Sequence, residues 1–319
     1  MTIHVLGTVN GIENEGMRNV ATHLARSFEK GGHTVLYSGL RQIPAIIQHA
    51  LKSDATIVFA RANQQVYWLV RMVTLLCKNV WIVCVQKPEA AFRQLNDQHP
   101  LKCSYLTIIE SDVADIKLSE GKVKQKIGVG INAEKFAPVS AEQARRLKQK
   151  YGFDPEKPLV IHVGHCSRGR GLEDLIPLQD AQRMVVASGM FEDASTVQKL
   201  EQAGGRIHKG FLENVEEIYQ MADVYLFPTR STEFVISIPL SVMEALASGT
   251  PVIGYRSFAN LTEIKCDPQG IAFIDDCSDI PRILADVAKM KQNRSYLQNA
   301  KTWDAIAADV LRFVEGVNT

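Results

Sequence analysis

Phe227-Pro-Thr-Arg-Ser-Thr-Glu-Phe-Val-Ile-Ser-Ile-Pro-Leu-Ser-Val-Met-Glu-Ala-Leu-Ala-Ser-Gly-Thr-Pro-Val-Ile-Gly254 reads as a strand end, a loop, a helix and a second strand. The apolar run Val224–Phe227 stops at Pro228, as a strand leaving a sheet does. The loop Thr229–Ser237 is polar with one apolar patch. A helix opens near Pro239, where a missing N–H costs nothing. It carries Leu240, Met243 and Ala247 inward at helical spacing and stops at Gly249. Pro251-Val-Ile begins the next strand. A loop of this kind opens above a parallel sheet with a helix N-terminus facing it, which is a natural seat for a phosphate. Ser237 is placed to cap the helix. Ser241 lies one turn in, within reach of a phosphate, and Glu244 can point back into the same crevice.

The string Glu244-Ala-Leu-Ala-Ser-Gly-Thr-Pro-Val resembles the nucleotide-binding core of retaining GT-B glycosyltransferases of the group 1, family 4-like kind. There a helix glutamate, followed by Ala, a small residue and Gly-x-Pro-Val, holds the ribose of a sugar nucleotide. The resemblance implies an α/β chain of two Rossmann-like domains facing a cleft.

Upstream, Leu159–Val163 is a strand that ends in Gly164-His-Cys-Ser-Arg-Gly-Arg-Gly-Leu-Glu-Asp-Leu-Ile. Glycines let a backbone approach a ligand, and two arginines beside them can clamp a diphosphate. The stretch is similar to the family's second signature, Gly-Arg and then Lys-Gly. Arg170 falls at its lysine and Gly171 at its glycine. His165 stands where the family has arginine. A neutral imidazole binds phosphate less well, although a nearby diphosphate favours its protonated form, and Arg168 can supply the missing charge. The string from Gly210 to Pro228 also resembles the family, in which the segment at Phe211 and Leu212 passes the nucleotide base. The family's first glutamate, eight positions before Glu244, is Ile236 here. The loop is longer than usual, so either Glu233 is displaced into that role or backbone amides serve, as in relatives that lack the acid.

The first half opens with a short β run, Thr2–Leu6, then a loop, a helix from about Met17 to Lys30 with Val20, Leu24 and Phe28 in one stripe, and a strand His33–Tyr37. The stretch from Glu15 to Val35 looks like the first loop and helix of the same glycosyltransferases, with Glu15-Gly16 in place of Gly-Gly. Glu15 narrows the allowed backbone and adds negative charge near the expected leaving phosphate and acceptor. The Glu13/Glu15 pair reads either as general acid/base groups or as polar loop residues. Ala55–Phe59, Val80–Val85 and Tyr105–Ile109 read as further strands, the first two buried on both faces. The family often has histidine just after the second of these. Here Gln86 can bond a hydroxyl and Lys87 can meet a phosphate, or the pair is a solvated loop end. Gly130, Asn132, Phe136 and Pro138 resemble the family's interdomain crossing, and the tail from Ala300 resembles its final tryptophan-bearing helix.

Length agrees with two domains: 319 residues exceed one comfortable core. A net charge of +1 argues against a general nucleic-acid binder. The six cysteines show no metal-ligand spacing and several sit in apolar runs, which points to buried thiols in a reducing cytoplasm. The opening Met1–Gly7 has no basic region or long apolar core and reads as a strand, not a signal peptide. No run is long enough to span a bilayer, which leaves a peripheral membrane role open.

The resemblance therefore implies an N-terminal Rossmann-like acceptor domain at 1–137, a C-terminal nucleotide-sugar domain at 138–298 and a helix at 299–319 crossing back to the first. The implied enzyme moves a sugar, with retention, from a nucleotide-diphosphate donor to a hydroxyl of a glycan, lipid-linked or small-molecule acceptor. Arg170, His165 and Glu233 are the catalytic candidates. Gly164, Arg168, Gly171, Phe211, Leu212, Ser237, Ser241 and Glu244 are the donor-binding candidates, and Glu15, Gly16, Gln86 and Lys87 form the acceptor or phosphate loop. No cofactor or metal is required. The setting is cytoplasmic, with allowance for contact with the inner face of a membrane and for a partner glycosyltransferase. The rival readings are a degenerate, non-catalytic or partner-dependent homologue, raised by Glu15, His165 and Ile236, and a sugar-nucleotide epimerase, which the cleft strings do not favour.

Overall fold

The computed structural model describes residues 1–8, 16–189 and 192–316, with the backbone alone at Phe234. The chain divides into two compact units, residues 1–130 with 301–319, and residues 131–300. Each is built on a six-stranded parallel sheet.

The first unit runs β1 (Thr2–Gly7), α1 (Gly16–Lys30), β2 (Thr34–Ser38), α2 (Ile43–Lys52), β3 (Ala55–Phe59), α3 (Gln64–Leu76), β4 (Val80–Cys84), α4 (Ala90–Gln98), β5 (Ser104–Thr107) and β6 (Lys124–Lys126). Its strand order is β2-β1-β3-β4-β5-β6, so the winding reverses between β1 and β3. Every residue of β3 and β4 is buried, as unbroken apolar runs between two helix layers must be. The stripe Val20, Leu24 and Phe28 of α1 is buried together with Ala21 and Ala25. β6 is a polar edge strand, Lys-Gln-Lys, with no apolar period to announce it.

The second unit runs α5 (Ala141–Lys150), β7 (Leu159–Gly164), β8 (Gln182–Ala187), α6 (Ala194–Gln202), β9 (Arg206–Lys209), α7 (Val215–Met221), β10 (Val224–Phe227), α8 (Leu240–Ala247), β11 (Val252–Tyr255), β12 (Ile271–Ile274) and α9 (Asp279–Lys289). Its order is β12-β11-β10-β7-β8-β9. The winding reverses between β7 and β10, the crevice where open α/β sheets bind ligands. At the opposite, N-terminal ends of β7 and β10 a buried lysine pairs with a half-buried aspartate. Lys148 Nζ meets Asp223 Oδ2 at 2.6 Å and donates to the Lys157 carbonyl at 3.1 Å, while the Leu159 N–H donates to the same carboxylate oxygen at 2.7 Å.

Two local expectations for α8 need correction. Its fully buried side chains are Val242, Ala245, Leu246 and Ala247, whereas Leu240 and Met243 are half-buried. The polar face of the helix, Ser241 and Glu244, is turned to two buried tyrosines, and this rotates the apolar stripe. Ser237 does not cap the helix: Pro239 is the N-cap, with no side-chain hydrogen bond.

The chain then returns to the first unit as α10 (Trp303–Val314), which packs on α1. Trp303 stacks on His23 with ring centroids 4.8 Å apart, and a Cβ on Gly130 would come within 2.7 Å of Trp303. Gly130 is therefore glycine because of that approach. Asp304 accepts from Ser27 at 2.8 Å and pairs with Lys30, and Asn79 Nδ2 donates to the Val314 carbonyl at 2.8 Å.

Candidate functional site

The loops after β7 and β10 meet at the reversal point of the second sheet. β7 ends at Gly164, with φ 155°. A Cβ there would lie 2.8 Å from Arg170 Nη2 and 3.1 Å from His162 Nε2. Glycine thus lets the Arg170 guanidinium fold back over the strand end. Arg170 is buried and its guanidinium carbon sits 6.0 Å from the Phe227 ring centroid. Its N–H donates to the Ser167 carbonyl at 3.2 Å, and its own carbonyl accepts from Thr229 Oγ1 at 3.4 Å. Burial pulls its pKa down from the ordinary arginine range, yet a guanidinium stays charged in proteins.

His162 is fully buried beneath this arginine. Its Nδ1 lies 3.0 Å from the Leu226 carbonyl, so Nδ1 carries the proton and Nε2 is left as an acceptor. Nε2 is buried without a hydrogen-bond partner. Burial first, and the Arg170 charge second, push the His162 pKa down to about 3. The ring therefore stays neutral beside the cation.

Gly171 has φ 73°, and a Cβ on it would strike the Pro228 carbonyl oxygen at 2.4 Å and Arg230 Nη1 at 2.8 Å. The loop after β7 is thus seated directly under the loop after β10. Arg230 locks the two. Its Nη2 donates to both Asp174 carboxylate oxygens at 2.9 and 3.2 Å and to the Tyr255 hydroxyl at 2.6 Å, and its guanidinium carbon is 3.8 Å from the Tyr255 ring centroid. The Tyr255 hydroxyl donates to Asp174 at 2.7 Å. Sequence reasoning gave Arg230 no role, because its partners are 56 residues upstream and 25 downstream.

α8 supplies the third side. The Tyr219 hydroxyl donates to Glu244 Oε2 at 2.8 Å, and the Tyr225 hydroxyl to Ser241 Oγ at 2.8 Å. Burial raises both phenol pKa values, that of Tyr225 to about 12, so both remain donors. Each orients one polar side chain of α8. Without a side-chain cap, the first N–H groups of the helix have no intrahelical acceptor.

The other sequence candidates take varied places. His165 Nδ1 is hydrogen-bonded to Ser188 Oγ. Arg168 is exposed and pairs with Asp193, the N-cap of α6, at 3.4 Å. Phe211 is exposed and Leu212 half-buried, directly after Gly210. Ser237 is buried, and its carbonyl accepts from Asn260 Nδ2 at 3.1 Å. Glu233 is exposed on a short 3-10 turn, whereas Ile236 is buried. In the first unit, Gly16 opens α1 and Lys87 approaches Asp115 at 3.9 Å, with half-buried Gln86 beside it. Glu15, like Glu13, lies outside the described residues. Among the described residues no group of three or more His, Cys, Asp and Glu stands together as a metal site.

Sheet order and loops together define a Rossmann-type unit with the buried cation Arg170 at its switch point. A family profile, glycosyl transferases group 1, matches residues 143–303, about half of the chain, and the protein belongs to that family. Among curated relatives, it is 31% identical over 134 residues to the sulfoquinovosyl transferase of Arabidopsis thaliana, covering 40% of this chain and 25% of that protein. It is 27% identical over 163 residues to a glycosyltransferase of Bacillus subtilis described as putative, covering 46% and 41%. The chain thus spans less than half the length of these relatives. A sucrose-phosphate synthase structure from Thermosynechococcus elongatus matches with a TM-score of 0.76 at 14% identity, over 99% of this chain and 98% of that one. At that identity the likeness concerns the fold, which is GT-B.

Proposed function

We infer that the protein transfers a glycosyl group, with retention of configuration, from a nucleotide-diphosphate sugar to an acceptor hydroxyl. The observation that carries this reading is the buried Arg170, held against Gly164 and Phe227 at the switch point of the second sheet. A guanidinium fork in a desolvated seat suits a diphosphate. The uncapped N-terminus of α8 adds donors for the same anion. Glu244, fixed by Tyr219, would hold the ribose, and Phe211 with Leu212 would flank the base. In this reading charge gathers on the leaving diphosphate in an oxocarbenium-like transition state. Arg170, the α8 N–H groups and a protonated His165 would stabilise it as it forms. No metal or other cofactor enters the scheme, and the leaving phosphate itself takes the acceptor proton. Glycan, lipid-linked and small-molecule acceptors all remain within this reading. The six free cysteines support a reducing, cytoplasmic setting.

One observation favours a partner-dependent or degenerate homologue instead. Buried Ile236 occupies the place of the expected sugar-contacting acid, and Glu233 is exposed on a neighbouring turn. Thermal unfolding against UDP, GDP, ADP, dTDP and CMP, and against their sugars, tests both readings. A ligand at about 100 times its Kd stabilises by about 2.7 kcal/mol, a rise of about 5–10 °C for a unit of this size. The shift should vanish in Arg170→Ala and shrink in Glu244→Gln, which keeps an acceptor for Tyr219. Binding without turnover, with activity restored by a second glycosyltransferase, would establish the partner-dependent reading. No shift with any nucleotide would refute donor binding.

A further inference from the structure

Seven large apolar side chains are exposed among the described residues, and five of them, Ile43, Ile47, Leu51, Trp68 and Leu75, stand on α2 and α3. On α2 the three fall at i, i+4 and i+8, a single outward stripe, while Ile46 and Ala50 are buried. On α3, Trp68 and Leu75 lie two turns apart with exposed Arg71 between them, and Val66, Tyr67, Val70 and Val73 are buried beneath. The two helices pack on each other and share one core cluster. A groove of about 540 Å³ opens between the start of α2 and α3, with Leu40, Ile43, Trp68 and Met72 among its walls. Apolar surface gathered in this way on a soluble unit marks an interaction site.

The charge around it has one sign. Residues 40–53 and 60–79 contain no aspartate or glutamate. Arg41, Lys52, Arg71 and Lys78 are exposed, and His49 is half-buried. Of acids outside these segments, Glu89 is engaged by Arg61 at 2.9 Å, Asp54, just after α2, accepts from the Thr2 N–H at 2.7 Å, and Asp97 is exposed near the end of α4.

We propose that the α2–α3 face docks on an anionic lipid bilayer. Ile43, Ile47, Leu51, Trp68 and Leu75 enter the boundary between headgroups and acyl chains, and the basic residues meet lipid phosphates. A bilayer supplies an apolar interior and a continuous array of anions, which matches two helices whose own charges are all cationic. Tryptophan suits that boundary, with an apolar ring and one polar N–H. A second copy of the chain is a poorer fit, since an isologous contact sets the same basic rim against itself. The surface shares no residue with the donor loops, so the proposal stands or falls independently of glycosyl transfer.

The test is sedimentation of the full chain with vesicles of phosphatidylcholine alone, or mixed with an equal part of phosphatidylglycerol. Association is expected with the mixed vesicles and should weaken as salt rises. Tryptophan emission should shift to the blue on binding. Trp68 is 51% exposed, whereas Trp81 and Trp303 are 4% and 8% exposed, so the shift reports on this face. Trp68→Phe should remove the shift while most binding persists. Leu51→Glu combined with Leu75→Glu, two exposed positions whose change leaves the core intact, should weaken partitioning at least about tenfold. The proposal is overturned if the anionic vesicles do not bind, if the double substitution leaves binding unchanged, or if the face instead mediates a dimer that the same substitutions break.

Discussion

Replacing Gly171 by alanine should unseat the loop that carries Arg170. Two costs add at this position. The left-handed backbone, φ 73°, is unfavourable for an L side chain by about 1–2 kcal/mol. The new Cβ would also lie 2.4 Å from the Pro228 carbonyl oxygen, a backbone atom that no rotamer change can move. Forced overpacking of this kind costs about 1–3 kcal/mol, so the total is about 2–5 kcal/mol. Gly210→Ala is the control. Its φ of 97° is also positive, but nothing lies within 4 Å of its Cβ, so only the conformational cost applies. Both positions belong to the second unit. Native-state hydrogen exchange of the β7 and β10 amides reads that unit alone, which matters in a chain of two units. Gly171→Ala should exceed Gly210→Ala by at least about 1 kcal/mol and should also lower nucleotide affinity, because Arg170 is the adjacent residue. Equal costs for the two substitutions, or unchanged nucleotide binding, would refute the seating of the loop under Pro228.

Further outcomes follow from buried charge. Lys148→Met should destabilise the second unit by about 1–3 kcal/mol, because the half-buried Asp223 carboxylate loses its hydrogen-bonded cation and keeps only the charge of Lys291 nearby. Lys148→Met with Asp223→Leu should recover much of the loss in urea unfolding. Histidine titration sets a pH dependence. Burial, reinforced by His49, lowers the His4 pKa to about 4, and burial with Arg170 lowers that of His162 to about 3. Both folded-state values lie below the ordinary value of about 6.5, so the unfolded chain binds more protons. The stability they support is complete above about pH 6.5 and is lost as pH falls towards 4. The slope is up to about 1.4 kcal/mol per pH unit for each histidine. Native-state hydrogen exchange of each unit between about pH 6.5 and 4.5 should show this fall, and His162→Asn should flatten the slope in the second unit alone. An unchanged slope would place the effect elsewhere.

The strand and helix alternation was legible because apolar runs such as Ala55–Phe59 and Val80–Cys84 admit one reading, a strand covered on both faces. The glycines after β7 mark close approach in the sequence, and the structure shows one of them, Gly171, seated against the Pro228 carbonyl of the loop after β10. What escaped was set by tertiary contact. Arg230 looked like one more polar loop residue until Asp174 and Tyr255 were brought to it. Arg168 carried a charge suited to phosphate, but Asp193 draws it towards the start of α6. The burial of α8 differed from its apolar stripe because Tyr219 and Tyr225 claim its polar side. His162 lies inside the apolar run of β7, and only its packing shows that its Nε2 lies beside the arginine.

The return of the chain into its first unit has a consequence for how the molecule is made. α10 is the last helix described, yet it packs on α1, the first, with Trp303 against His23 and Gly130 and with Asp304 on Ser27 and Lys30. On a ribosome the polypeptide emerges N-terminus first. Residues 131–300 are contiguous, so the second unit can complete itself as soon as they have left the exit tunnel. The first unit, although synthesised earlier, holds the outer side of α1 uncovered until residue 314 arrives. The unit that is begun first is therefore the one that is finished last, and a chain cut after residue 300 would present a closed second unit and an unsealed first one.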